Sequence, residues 1–288
     1  MPREIPHQRT ILHLVPQNKL AEGVLTHPDN APFVSVATQK NGKKAVKELG
    51  LEIGYHVAMR PCREVIVEVG RNADLILPAP SISKCHFSFE THPESKKIMF
   101  HDRSRYRSTT IHPASFRTDG DFRQVVLCPP TEYSIGVGGE DKDLYTFRVY
   151  WVVEKDGEVQ TELSEQMSQE RMENPRWART VDDGPTELHS WYNTRLHTPW
   201  GGGVQRTLDM GQLGQGAFGL VSKAVDRDSG KLIAIKTITL PPKFNGVPSE
   251  KENRLYREVK ILSSISHVRR FFVFVFFFFL FRNFGLAQ

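Results

Sequence analysis

The sequence predicts a mostly β protein with an α+β C-terminal part, and three observations predict it. Short β-rich runs recur between Pro, Gly, Asp and Ser clusters over residues 51–153, an acidic stretch poor in aliphatic residues follows at 154–205, and three strand signals then lead into one helical stretch. The 288 residues leave room for two ordinary domains. Hydrophobic residues at 39% and charged residues at 25% lie near globular averages, which argues against wholesale disorder and against an integral membrane protein.

Residues 1–50 are mixed and Pro-containing with no sustained period, and read as a loosely ordered N-terminal arm whose strands, if any, pack on the neighbouring 51–153 region. Over 51–153 the runs Val65-Ile66-Val67-Glu68-Val69, His86-Phe87-Ser88-Phe89-Glu90, Val125-Val126-Leu127 and Tyr145 to Val153 have strand length, the pattern of an all-β sandwich. The stretch 154–205 holds 5 basic against 10 acidic residues and closes with Pro199-Trp200-Gly201-Gly202-Gly203. It reads as an acidic linker with one helix over Leu163–Glu173. Beyond it, strand signals at Thr207–Leu213, Leu220–Val225 and Leu232–Leu240 precede a helix over Ser249–Ser263, where Ser249 and Glu252 have capping-box spacing and Leu255, Val259 and Leu262 recur on one face.

Cys62, Cys85 and Cys128 are far apart and make no metal-ligand pair, and Met1-Pro2-Arg3-Glu4 lacks the apolar core of a secretory signal. A reducing interior compartment and no bound metal are the expectations. The net charge of +5 is spread, with 20 basic against 17 acidic residues through Val153 and 13 against 6 from Arg206 onward. No single element gathers the lysines and arginines, which disfavours a nucleic-acid surface. Lys43-Lys44 and Lys96-Lys97 are too short for a nuclear localisation tract.

Gly214-Gln215-Gly216-Ala217-Phe218-Gly219-Leu220-Val221 is a G-x-G-x-x-G-x-V pattern set between two strand signals. A dinucleotide-binding turn leads into a helix. A phosphate-covering hairpin leads into a second strand, and its glycines let backbone N–H groups approach phosphates with no Cβ in the way. Ile233-Ala234-Ile235-Lys236 follows on the third strand signal, and Arg257-Glu258-Val259 lies in the helical stretch. Together these motifs resemble the N-lobe of eukaryotic protein kinases. The resemblance implies that Lys236 holds the α- and β-phosphates of ATP and pairs with Glu258, and that Val221 and Ala234 sandwich the adenine. Gly214, Gln215, Gly216, Ala217, Phe218 and Gly219 then form the lid. Ordinary surface charges at 236 and 258 over a plain hairpin are the alternative.

The resemblance stops after Ser266-His267, where the chain reads Val268-Arg269-Arg270 and then eleven residues, Phe271 to Phe281, of Phe, Val and Leu alone. No His-Arg-Asp loop, Asp-Phe-Gly motif or Ala-Pro-Glu segment is present, and Asn283-Phe284-Gly285 offers an amide where the magnesium motif needs a carboxylate. The expectation is a kinase front end truncated before its catalytic half. Only the Lys236–Glu258 pair of the catalytic set is then present, ATP binding is weak or absent, Mg²⁺ belongs to a full-length form, and phosphoryl transfer is lost. Eleven residues reach about 16 Å as a helix, roughly half the hydrocarbon thickness, so this tail does not cross a bilayer. Val-Arg is encodable as GTA-AGR, a splice-donor sequence, and Phe-rich text is what pyrimidine-rich DNA encodes. A translated intron is one reading of the tail, and a buried strand or interaction tail is the other.

In the first half, Gly70-Arg71-Asn72-Ala73-Asp74, Ser83-Lys84-Cys85-His86-Phe87 and Asp102-Arg103-Ser104 recur in the order found in FHA domains, and Ile135 to Asp141 looks like a penultimate FHA strand and turn. An arginine fork, a hydroxyl donor and loop amides favour a phosphate dianion over a free hydroxyl. The resemblance implies that Arg71, Ser83 and Lys84 bind phosphothreonine, while Gly70 and His86 are structural; outside the family pattern, Arg105 or Arg107 is the candidate to add charge. Where the family has Thr-Asn-Gly-Thr, this chain has Arg105-Tyr106-Arg107-Ser108, which removes an Asn that grips the peptide backbone. A β-sandwich with a vestigial site is the alternative.

The two segments in this order resemble the FHA-containing checkpoint kinases of the calmodulin-dependent kinase group. That kinship implies phosphothreonine-bearing partners, FHA-mediated dimerisation, a nuclear or cytoplasmic location with the nucleus favoured, and Ser/Thr kinase signalling in DNA-damage or meiotic checkpoints. Thr38-Gln39 and Ser168-Gln169 are compatible with control by an upstream damage-sensing kinase. Two other readings stay open. One is a non-catalytic phosphopeptide-binding adaptor or competitor of the full kinase. The other is a nucleic-acid or scaffold protein, which would bind DNA salt-dependently without preferring phosphothreonine.

Overall fold

A computed structural model describes residues 2–41, 44–58, 64–116, 123–152, 206–216, 219–237, 250 and 257. The chain divides into two compact units. The first carries β1 (Thr10–Pro16), α1 (Lys19–Leu25), β2 (Val34–Asn41), β3 (Lys44–Gly54), β4 (Val65–Gly70), β5 (Leu75–Ile76), β6 (Phe87–Thr91), β7 (Ile98–Asp102), β8 (Thr109–His112), β9 (Gln124–Leu127), β10 (Tyr133–Val137) and β11 (Tyr145–Trp151). The second carries β12 (Thr207–Gly216), β13 (Gly219–Asp226) and β14 (Leu232–Thr237). The chain is mostly β, as its sequence predicts.

In the first unit a six-stranded sheet, β2-β3-β1-β11-β10-β8, accompanies a five-stranded sheet, β5-β4-β6-β7-β9. Every pairing is antiparallel except the short β4–β5 contact. Alternate residues of each strand point to one face, so Leu12, Leu14, Leu51, Ile53, Ile135, Val137 and Phe147 from the larger sheet meet Phe87, Phe89 and Phe100 from the smaller in one buried cluster. Phe100 lies 5.2 Å from Phe87 and 5.4 Å from Phe89 between ring centroids. Each such ring removed from water contributes roughly 1.5–3 kcal/mol.

The reading of residues 1–50 as an arm, with a domain starting at 51, is corrected by this topology. β1 is a central strand, hydrogen-bonded to β11 on one side and β3 on the other, and the 50/51 boundary falls inside β3. Two buried polar anchors tie the segment down. Glu52, fully buried, accepts hydrogen bonds from Arg3 Nη2 at 2.8 Å and Thr10 Oγ1 at 2.9 Å, with His56 Nε2 at 2.7 Å. Burial by itself would raise the Glu52 carboxyl; hydrogen bonds from His56, Ser35 and Thr10 and the Arg3 charge outweigh it and hold it at about 2. Asn30, also buried, donates from Nδ2 to the carbonyls of Val24 and Ile76, both at 2.9 Å, and accepts from the Ile76 amide at 2.8 Å, which fixes the chain after α1 against β5. A segment that satisfies its buried polar groups this completely is part of the sandwich.

In the second unit β12, β13 and β14 form an antiparallel sheet in sequence order. β12 carries register shifts between Asp209 and Gln212 and between Gln212 and Gly214. Of the helix predicted over Ser249–Ser263, Glu250 and Arg257 are helical and the remainder lies outside the described residues, as do the predicted linker and the Phe-rich tail.

Candidate functional site

Three loops at one end of the sandwich bring together residues that the sequence spreads over Gly70 to Ser108. The β4–β5 turn lies along the segment before β6: the Arg71 amide donates to the Ser83 carbonyl at 2.9 Å, Asn72 N to Lys84 O at 3.0 Å, and His86 N to Val69 O at 2.8 Å. This contact is why residue 70 is glycine. A Cβ there would stand 2.2 Å from the Lys84 carbonyl oxygen and 2.9 Å from the His86 nitrogen, both backbone atoms that cannot swing aside. The β7–β8 loop closes on the other side, where Arg103 N donates to His86 O at 2.9 Å and Arg105 N to Ser83 Oγ at 3.2 Å.

His86 is fully buried among these loops. Its Nδ1 accepts from the Ser83 amide at 3.1 Å, so the proton sits on Nε2, 3.2 Å from Ser108 Oγ. Burial lowers its pKa, and the nearby Asp102 charge offsets this only in part, so the ring is neutral at pH 7 and bridges two loops without adding charge to the apex. Burial also pushes the neighbouring Cys85 thiol up to about 12, which removes it as a nucleophile.

A second brace, to which sequence motifs assign no role, stands under the β7–β8 loop. Asp102 Oδ1 accepts from Ser104 N at 2.9 Å and from Thr109 Oγ1 at 3.0 Å, while Ser104 Oγ accepts from Ser108 N at 2.8 Å. Asp102 Oδ2 is 2.8 Å from Arg123 Nε, an ion pair outside hydrogen-bond angles, and Arg123 Nη1 donates to the Arg107 carbonyl at 3.0 Å. The Asp-x-Ser spacing is an Asx-turn signature, and that signal is present in the sequence. Arg123, further along the chain, gives none.

The outcome is a rigid frame with a cationic rim. Arg71, Lys84 and Arg105 are exposed, and among the described residues no carboxylate pairs with any of them. Ser83 is half-buried between them, and because its Oγ already accepts the Arg105 amide, its own O–H is left to donate outward. Such a set, charged donors plus one hydroxyl on a fixed backbone, is suited to a phosphate dianion.

In the second unit the register places Gly214 opposite Val221 and Val221 opposite Lys236, so the three form one row across the sheet. Lys223 stands opposite Ala234, two residues along each strand, and therefore on the same face as Val221. Gly216 pairs with Gly219 at the hairpin end and Gln215 with Leu220. A Cβ built at Gly214 would meet nothing within 4 Å, so the fold itself does not require glycine there. Ala217, Phe218, Glu258 and the Lys236 side chain lie outside the described residues, and the expected Lys236–Glu258 pair with them.

Among the described residues no group of three His, Cys, Asp or Glu side chains has metal-binding geometry, and no helix is long and apolar enough to cross a membrane. No protein-family model matches the chain. Curated relatives include the mitogen-activated protein kinase HOG1 of Scheffersomyces stipitis, 42% identical over 64 residues, and those of Candida albicans and Debaryomyces hansenii, each 40% identical over 64 residues. In each case the match takes in 22% of this chain and 16% of the relative, so the chain spans about a sixth of the length of these kinases. This is a partial likeness to a protein kinase of the kind an N-lobe gives.

Proposed function

We propose that this chain is a phosphothreonine-peptide receptor of the FHA type, joined to a nucleotide-binding kinase N-lobe, in checkpoint-type signalling. The observation that carries the reading is the set of exposed cations, Arg71, Lys84 and Arg105, carried beside Ser83 on loops locked by Gly70, His86 and Asp102. Arg71 supplies the planar fork to the phosphate, and Ser83 and Lys84 complete its cradle. A phosphate dianion offers these donors charge that an unmodified threonine lacks.

The second unit contributes a lid for the phosphates of ATP, a reading supported by the partial kinase likeness and by the open space over Gly214. Val221 and Ala234 on one face would flank the adenine. Within these 288 residues no Asp-Phe-Gly carboxylate and no His-Arg-Asp base exist, so the residues present do not fit a Mg²⁺-nucleotide site and no transfer step is assigned to them. The second reading is a non-catalytic adaptor or competitor of the full-length kinase that binds phosphorylated partners.

The test is fluorescence anisotropy of the purified protein with matched peptides bearing phosphothreonine, phosphoserine or threonine. Phosphothreonine is expected to bind at least tenfold tighter than threonine, and Arg71→Ala to remove that difference. Equal affinity for phosphothreonine and threonine peptides refutes the assignment.

A further inference from the structure

Resting on the phosphothreonine reading, the geometry points to a second specificity element at the same apex: Arg105, carried on the ring of Tyr106, selects peptides with an anionic side chain close to the phosphothreonine. Charge balance supports it first. Three cations without carboxylate partners among the described residues, Arg71, Lys84 and Arg105, face a phosphate that carries about −1.5 to −2 at pH 7. One positive charge is left over, and it is matched by one more anion on the ligand.

Local geometry identifies which cation is left over. The Arg105 backbone amide donates to Ser83 Oγ at 3.2 Å, which fixes where its side chain starts. The guanidinium lies 5.6 Å from the centroid of Tyr106, a ring that is 77% exposed. An aromatic side chain that far into solvent contributes nothing to the core. As a cation–π platform it restricts the guanidinium while the N–H fork stays open to a carboxylate or phosphate. The loop beneath is fixed by Ser104, Ser108 and the Arg123 contact to the Arg107 carbonyl, and Arg107 itself sits at φ 53°, a conformation held by those bonds. Tyr106 is therefore a positioning residue and Arg105 the group that reads the anion.

The experiment uses the full chain and four phosphothreonine peptides that differ at one flanking position: alanine, glutamate, a second phosphothreonine, or lysine. The position is walked through the three residues on either side. At one position or more, glutamate or the second phosphate is expected to tighten binding about fivefold over alanine, with lysine weaker than alanine. The ratio of acidic-flank to neutral-flank affinity, whatever the absolute values, is expected to fall to about one in Arg105→Gln and Tyr106→Ala and to persist in Tyr106→Phe. A gain with glutamate and phosphate alike assigns a general anion, and a gain with the second phosphate alone assigns a doubly phosphorylated ligand. No flank preference in the wild type, a preference that survives Arg105→Gln, or equal losses on all peptides in Arg105→Gln overturns the proposal while leaving the phosphothreonine assignment standing. If the wild type fails to distinguish phosphothreonine from threonine, the assignment itself falls.

Discussion

Gly70 and Gly214 each open a loop that the sequence offers as a phosphate cradle, but the chain around them treats the two differently. At Gly70 the opposite backbone comes so close that a methyl group would overlap the Lys84 carbonyl, and the loops beyond are cross-linked through His86 and Asp102. At Gly214 nothing approaches within 4 Å. The first glycine is demanded by the protein's own packing, the second by nothing among the described residues. A glycine with no packing neighbour among the described residues leaves room for an external reason, whereas loops built on cross-links hold their shape on their own.

The largest way to break this contrast is to add a side chain at both positions. Gly70→Val is expected to cost about 3 kcal/mol or more, through overpacking against fixed backbone. Gly214→Ala is expected to change stability by no more than about 0.5 kcal/mol. Urea unfolding of the two variants measures both, and a Gly70→Val protein as stable as the wild type removes the distinction.

Among the described residues, protonation should also fall on the first unit. Burial holds His13 at about 4 against an ordinary 6.5, so between those values the unfolded chain binds the extra proton and stability rises with pH. Going down from pH 7 to pH 4, the sandwich is expected to lose on the order of 3 kcal/mol through this group. His86 acts in the same direction. The described strands β12 to β14 contain no histidine and are expected to lack this slope. Urea midpoints at pH 7, 5.5 and 4 for the wild type and His13→Gln provide the measurement, and parallel curves refute it.

A smaller effect is expected at the brace. Asp102→Asn keeps the shape but weakens the bonds to Ser104 N and Thr109 Oγ1 and leaves Arg123 without its counter-charge, a loss of about 2 kcal/mol. Because the β7–β8 loop loosens, phosphothreonine-peptide affinity is expected to fall with it, whereas a melting-point change with unaltered affinity would separate the brace from the rim. The smallest stability effect, that of Gly214→Ala, is where function should show most. If an ATP lid is the reason for that glycine, ATP-induced thermal stabilisation seen in the wild type is expected to shrink in the variant, and an identical shift in both detaches Gly214 from the nucleotide.

The strands are legible in the sequence to the extent that their signals are local. Val65–Val69 reads as a strand from its own β-branched residues and appears as β4, and the glycine pattern between two strand signals appears as the β12–β13 hairpin. Gly70, Arg71, Ser83 and His86 are legible because their spacing is itself the motif. Tyr106 and Arg123 are not. An exposed aromatic in a loop and an arginine twenty-one residues past Asp102 carry no pattern until the fold brings each to its partner.

Composition, period-two alternation and turn residues determined the class of this protein and where its strands would form, because those preferences act between neighbours in the chain. Membership of β1 to β3 in the sandwich was decided only by tertiary structure: β1 pairs with β11 across more than a hundred residues, and Glu52 gathers Arg3, Thr10 and His56. Pairing at such separations depends on which buried polar groups find partners and which apolar faces close on each other, and no local window of sequence contains that information.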